Sequence, residues 1–319
     1  TGLLDGSGFG TDLHRYFDGF INLSKSPFDL FHYIQQSSKD PLSIVPTYLF
    51  RIFGFSFYMF LLSITFFYYR IALNRIKTIL GFQSFYLQII LLLFFSPWLT
   101  ILVATVLRQG ISLLFIFAFA FQSYNQKSFN KNTFKDLFTV FIASCVHFSN
   151  VLILPFIFIR GIFKKYLLFF NILFYFIFIL YIAGILVPIK SFITAILGDS
   201  FELIFRAMAF SAVEHYDIGP TVNKALSILL PVLLTDILFK YYTTQQRYRI
   251  EPILIFYKYI SILGMLFSGF PYNDRILLIG WIFIPIILIL SFNILSRIIL
   301  KQYYIKVWYC FDFMIDLIY

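Results

Sequence analysis

The sequence predicts an all-α, polytopic integral membrane protein, a helical bundle of about nine to eleven transmembrane helices or half-helices with loops on its outer face. The composition is 60% hydrophobic, and the mean hydropathy is +0.86. Long apolar runs recur along the chain, among them Ile52–Tyr69, Tyr166–Pro188 and Ile276–Leu295. These runs do not alternate apolar and polar residues as barrel strands do, so helices are the remaining way to cross a bilayer.

Charged residues predict how the chain is oriented. The stretch between Asp40 and Asp136 contains no acidic residue, and short basic segments near 70–77, 127–135, 160–165, 240–249 and 297–301 separate the apolar runs. Basic loops stay in the cytoplasm, so we expect residues 1–46 and 188–224 to form outer loops of one polytopic domain spanning 1–319. The net charge of +10 follows this pattern and does not indicate nucleic-acid binding.

The predicted spans follow one another between these loops. They are an inward helix over Thr47–Tyr69, an outward helix over Ile79–Leu102 kinked at Pro97, an inward helix from Arg108 to Ser123, an outward helix over Tyr166–Val187, an inward helix over Ala225–Tyr241, an outward helix over Pro252–Phe270 and an inward helix over Arg275–Leu295. The tail, Tyr303–Tyr319, is either interfacial or part of a final span.

The segment Phe134–Ile159 conflicts with a single span. Both of its flanks are basic, and one span would place them on opposite sides of the membrane. Two half-helices that meet near His147–Asn150 would resolve the conflict. Broken helices at membrane depth occur where they line a cavity.

Ionisable residues in or beside apolar runs mark the candidate site: Arg108, His147, Arg206 and Arg275. A charge in hydrocarbon is costly unless it faces a partner or a polar cavity, and the forked donors of arginine suit phosphate oxygens. We expect a cavity for an anionic substrate, with a lipid-linked phosphate as one candidate. Plainer alternatives remain open: a headgroup anchor for Arg108 and a neutral buried imidazole for His147.

A second constellation lies at residues 8–16, where Asp12, Arg15 and Tyr16 follow two glycines. Asp12 and Tyr16 are four residues apart and would share one face of a helix. A sugar could use both, with hydroxyls donating to the carboxylate and the ring stacking on the sugar face. The alternative is a turn followed by a capped helix. Asp274, in a turn between two late spans, is either part of the site or a surface residue.

Other chemistries find little support in the sequence. The two cysteines have no metal-ligand spacing, and no nucleotide fingerprint or nucleophile elbow is present. We therefore expect no metal and no cofactor, and a substrate that carries its own leaving group.

Several short motifs resemble one known family when taken together. They are Gly10–Thr11–Asp12 with Tyr16, Leu107–Arg108–Gln109–Gly110 opening a helix, Ile142–Ala143–Ser144 leading to His147–Phe148–Ser149, and Arg275 at the head of a late helix. In this order they resemble the EpsG-like branch of the Wzy-type polymerases of O-antigen, capsule or exopolysaccharide. The resemblance implies a further first helix ahead of Thr1, which we expect to be missing from this chain.

The resemblance implies a glycosyltransferase of the cytoplasmic (inner) membrane with its active site on the outer face. Its substrates would be oligosaccharides on undecaprenyl diphosphate, and a chain-length regulator and a flippase would be its partners. Arg108, Arg206 and Arg275 would neutralise the departing diphosphate, and His147 or Asp12 would orient or deprotonate the acceptor hydroxyl. A flippase of lipid-linked oligosaccharide and a membrane acyltransferase are the alternatives. The internal symmetry expected of a transporter is not visible in the sequence.

Overall fold

The computed structural model describes residues 8–36, 42–80, 107–119, 129–188, 219–270 and 273–298, and every regular element in these ranges is a helix. The α-helices are α1 (Gly8–Ile21), α2 (Leu30–Gln36), α3 (Ile44–Ile52), α4 (Phe57–Leu80), α5 (Leu107–Phe119), α6 (Phe129–Val146), α7 (Leu154–Lys165), α8 (Leu167–Ile182), α9 (Val222–Leu238), α10 (Thr244–Leu266), α11 (Asn273–Trp281) and α12 (Ile284–Ile298). The predicted all-α membrane class is confirmed.

Several helices in the described ranges could cross a membrane by length and composition. Two single helices are long and apolar enough for this, Phe57–Thr78 and Val222–Tyr241. Two bent pairs, Phe148–Lys165 with Leu167–Ile182 and Asn273–Trp281 with Ile284–Ile298, raise the number to four if each pair counts as one span.

The predicted break near His147–Asn150 is present. Helix α6 ends at Val146, His147 is extended (φ −154°, ψ 116°), and a 3₁₀ turn over Phe148–Ile153 leads into α7. An ion pair between Asp136 of α6 and Arg160 of α7, both buried, shows that the two helices fold back on each other. The basic flanks of the segment therefore lie at the same end of the bundle.

This end, which we call the basic end, gathers further cationic residues. Arg75 of α4 donates from Nε (3.0 Å) and Nη2 (2.7 Å) to the carbonyl of Phe117 in the last turns of α5, and it lies within electrostatic range of Asp136. Lys164 at the end of α7 faces Glu251 of α10 at 3.9 Å. The opposite end, which we call the polar end, carries the α6–α7 junction and the first turns of α5, α9 and α11.

Two predicted spans are divided in the structure. The span expected over Thr47–Tyr69 is split between α3 and α4, and Gly54 between them has a φ of +75°, a conformation that glycine adopts without steric cost. The span expected over Arg275–Leu295 bends by 43° between α11 and α12. Pro285 lies in the first turn of α12. Because proline has no N–H to donate to the carbonyl four residues earlier, the helical hydrogen bonds cannot continue unbroken from α11 into α12.

Aromatic contacts run through the centre of the bundle. Phe283 meets Phe117 of α5 edge-on at 5.4 Å and Phe256 of α10 at 5.6 Å, and Phe256 meets Phe156 of α7 at 5.2 Å. Edge-to-face pairs of this kind add stability beyond the area that they bury. They fix α5, α7 and α10 around the short helix pair α11–α12.

The segment predicted as the first outer loop contains α1, α2 and the start of α3 and packs against the polar end. The Leu42 N–H donates to the Cys145 carbonyl at the end of α6 (3.0 Å). Arg51 of α3 donates to the carbonyls of Ile21 (2.9 Å), the last residue of α1, and of Leu23 (3.4 Å) just after it. Helix α1 is thereby held against α3.

Candidate functional site

The first turns of α5 and α11 are joined by one side chain. Gln109 is 1% exposed, and its Nε2 donates to the main-chain oxygen of Arg275 at 2.5 Å. Arg108 precedes Gln109 in the chain, so this bond brings together the two helix starts that carry the predicted arginines. Arg108 itself is exposed and Arg275 is half-buried.

The α6–α7 junction is connected to the same place through Asn150. This residue is completely buried, and its Nδ2 lies 2.8 Å from Ser112 Oγ, 3.1 Å from the His147 carbonyl and 3.2 Å from the Ala143 carbonyl. The Ser112 hydroxyl in turn donates to the Gln109 carbonyl (2.7 Å). A continuous chain of hydrogen bonds therefore links the His147 segment to α5 and, through Gln109, to α11.

The main chain of His147 makes hydrogen bonds on both sides. Its N–H donates to the Ala143 carbonyl at 2.9 Å, and its carbonyl accepts from the main chain and the side chain of Asn150. The imidazole is half-buried. The backbone is thus held on both sides of His147, which fixes the position of the Cα–Cβ bond from which the imidazole extends.

Helix α9 contributes a cation to the polar end. Lys224 is 7% exposed, and its Nζ lies 2.9 Å from Asp274 Oδ1 and donates to Asn273 Oδ1 at 3.4 Å. Tyr181, fully buried at the end of α8, is within electrostatic range of the same carboxylate. The predicted candidate Asp274 is therefore an ion-pair partner at the start of α11.

Buried acceptors remain at this junction. Because the carbonyls of Arg275 and His147 can only accept, the side-chain nitrogens of Gln109 and Asn150 must face them. The amide oxygens Gln109 Oε1 and Asn150 Oδ1, and also Ser149 Oγ, are left buried with no hydrogen-bond partner among the described residues. A hydrogen-bond donor such as water would satisfy them.

The remaining predicted candidates are placed only in part. Tyr16 of α1 is half-buried and packs against the core, beside Phe17, whose ring lies 5.7 Å from that of Phe57. Asp12 and Arg15 belong to α1, but their side chains lie outside the described residues, and Arg206 lies outside them entirely.

Residues that the sequence interpretation did not select complete the site. Gln109 and Ser112 are uncharged polar side chains inside the apolar helix α5, and Asn273 is the first residue of α11. Nothing local distinguishes them from packing residues. Lys224 was taken only as the edge of a loop. Its charge next to an apolar helix was the available signal.

A second buried ionic cluster lies nearer the basic end. Lys258 of α10 is 3% exposed, and its Nζ donates to both carboxylate oxygens of Asp236 in α9 (2.9 Å each) and to Asn171 Oδ1 of α8 (2.8 Å). The Tyr175 hydroxyl donates to Asp236 Oδ2 at 2.9 Å. This cluster joins three helices, and the hydropathy argument that selected the arginines would have selected Asp236 and Lys258 as well.

Comparison with known proteins gives one match. A family model described as "EpsG family" matches residues 4–319, which includes the helix starts at Arg108 and Arg275 and the His147 junction. No curated protein and no solved structure matches the chain at a significant level. The chain belongs to the EpsG family and is accordingly a membrane protein of polysaccharide biosynthesis.

Proposed function

We propose that this protein is a polysaccharide polymerase that transfers a growing glycan from undecaprenyl diphosphate onto a new lipid-linked repeat unit at the outer face of the cytoplasmic membrane. One observation carries the proposal. The hydrogen-bonded chain Asn150–Ser112–Gln109–Arg275 brings the two arginine-bearing helix starts and the His147 junction together at the polar end. The family match supports the polysaccharide as the product class.

The arginines would act on the leaving group. When the acceptor oxygen bonds to the anomeric carbon of the growing chain, the bond from that carbon to the diphosphate oxygen breaks, and negative charge accumulates on the diphosphate. Arg108 and Arg275 would bind these oxygens with paired N–H donors, and Arg206 is a further candidate. Donors that are already in place stabilise developing charge without reorganisation at the moment of reaction.

The acceptor hydroxyl must lose a proton as it attacks. His147, half-buried on a backbone that is held from both sides, would take this proton and pass it to solvent or to the released diphosphate. Asp12 is the alternative base, with Tyr16 and Arg15 beside it on α1 as sugar-binding candidates. A positioned general base is typically worth about 10²–10⁴-fold in rate.

The test uses purified protein in lipid nanodiscs with a lipid-linked repeat unit. A ladder of lipid-linked products of increasing length is expected. Arg275→Lys and Arg108→Lys should each reduce chain growth by about 10²-fold, because lysine keeps the charge but not the forked donor pair. Arg70→Lys, an exposed arginine of α4 near the basic end, is the matched control and should leave the ladder unchanged.

The alternatives predict different results. Movement of intact repeat units across the bilayer without a ladder would identify a flippase, and no product of either kind would contradict both assignments. Wild-type ladders from both lysine variants would show that these arginines are headgroup anchors. His147→Ala should stop growth while binding of undecaprenyl diphosphate persists, and a long polymer from this variant would leave Asp12 as the base.

A further inference from the structure

We propose that Lys224 is a positioning residue for Arg275, acting by neutralising Asp274 and holding the first turn of α11. The inference rests on the proposed function, since it assumes that Arg275 binds a diphosphate. It assigns a role to a residue that approaches the site from α9, a helix that carries no other candidate.

Lys224 is placed by the start of its own helix. Thr221 caps α9, and its Oγ1 accepts from the Lys224 N–H at 3.3 Å. The side chain is almost entirely buried, and its ammonium group faces Asp274 Oδ1 (2.9 Å) and Asn273 Oδ1 (3.4 Å). The contact with Asp274 is an ion pair without an aligned hydrogen bond, and together with the Asn273 oxygen it keeps the ammonium group at the start of α11.

The pair fixes the helix that presents Arg275. Asn273, Asp274 and Arg275 form the first turn of α11. Lys224 holds this turn from the α9 side, and Gln109 holds it from the α5 side through the Arg275 carbonyl. Two supports on different helices leave little freedom for the direction in which the Arg275 side chain leaves the backbone.

The pair also removes a negative charge from the site. The Asp274 carboxylate is adjacent in sequence to Arg275, and a free carboxylate there would repel a diphosphate and compete for the guanidinium. Such repulsion is strong in a partly buried environment, where the effective dielectric constant is low. With Lys224 in contact, Asp274 supports α11 without opposing an anionic ligand.

Four proteins test this role: wild type, Lys224→Met, Asp274→Asn and the double variant. Each is assayed in nanodiscs for affinity toward undecaprenyl diphosphate, for kcat and KM of polymerisation, and for melting temperature. Lys224→Met should weaken binding at least about tenfold, because an uncompensated carboxylate remains beside the site. Asp274→Asn keeps an amide oxygen toward Lys224 and should weaken binding less than Lys224→Met does. The double variant should recover only in part, because the carboxylate is gone while the support from α9 is not restored.

Recovery in the double variant is the decisive result. A double variant as weak as Lys224→Met would overturn the inference, since the ammonium would then act on the diphosphate itself. Unchanged binding in Lys224→Met would overturn it as well. If Lys224→Met does not fold, Lys224→Gln, which keeps a donor toward Asn273, takes its place with the same expected pattern.

The assays separate this inference from the proposed function. If wild-type protein makes no ladder, the proposed function fails, while the binding series still judges the role of Lys224. If the wild-type protein polymerises and all four proteins bind undecaprenyl diphosphate with the same affinity, only the role of Lys224 fails.

Discussion

Gly264 provides a sensitive test of how the packing of α10 against α11 controls the site. A Cβ at this position would lie 2.3 Å from Leu277 Cδ2 and 2.7 Å from Leu277 Cγ. Carbon atoms at contact are about 3.5–4.0 Å apart, so Gly264→Ala requires an opening of roughly 1 Å. The Cγ atom is the branch point of the leucine, and rotating its methyl groups alone does not relieve the clash.

The magnitude follows from this displacement. Overpacking of a buried contact typically costs about 1–3 kcal/mol. Leu277 lies two residues after Arg275 on the same helix, so a movement of α11 also moves the arginine. A misplacement of about 1 Å can reduce catalysis by about 10²-fold, and we expect chain growth to fall more than the melting temperature suggests.

Melting temperature in detergent and product ladders in nanodiscs check this prediction together. Gly19→Ala is the matched control, because nothing lies within 4 Å of a Cβ at Gly19. Adding Leu277→Ala to Gly264→Ala should restore chain growth in part while stability stays low, since the clash is replaced by a cavity. A Gly264→Ala protein with wild-type stability and ladders would refute the argument.

Three further predictions concern other parts of the bundle. Lys258→Met should lower the free energy of unfolding in detergent by about 3 kcal/mol, because the Asp236 carboxylate loses its cation. The double variant Lys258→Met with Asp236→Asn should lose less stability than Lys258→Met alone, and an equal loss in the two proteins would contradict the role of the pair. In an otherwise cysteine-free protein, Asp18→Cys should react with an impermeant thiol reagent on intact cells and Lys165→Cys should not, and the opposite pattern would reverse the topology. Asn150→Ala should lower the free energy of unfolding by about 1–3 kcal/mol, because carbonyls are left without a donor, and it should also slow chain growth. Unchanged chain growth would show that the α6–α7 junction does not contribute to the site.

Local rules were sufficient for the fold class and for the broken segment. Mean hydropathy depends only on neighbouring residues in the chain, and an apolar segment within a bilayer is restricted to a few structures, chiefly helices. The break at His147 was predicted because both flanks of Phe134–Ile159 are basic, and the hairpin of α6 and α7 satisfies that constraint. The division of the early span at Gly54 was missed, since an isolated glycine does not reveal its φ.

The assembly of the site depends on contacts that no local rule encodes. Gln109 and Arg275 are 166 positions apart, and Asn150 and Ser112 are 38 apart. Which helix start meets which is decided by packing, including the aromatic contacts at Phe283. Hydropathy could select the arginines one by one, but their common location and the role of their polar neighbours required the structure.

Two kinds of charge can now be distinguished in the bundle. The buried cations of Arg160, Lys224 and Lys258 each contact an aspartate from another helix, and a buried charge that is paired in this way ties helices together at a moderate net cost. Arg108 and Arg275 instead lie on first turns at the polar end, where their side chains are exposed or half-buried and their backbones are fixed through Gln109. An anion that binds there meets donors whose positions are already set. In the proposed mechanism the internal ion pairs would contribute to catalysis indirectly, because they hold the helices on which the accessible arginines are placed.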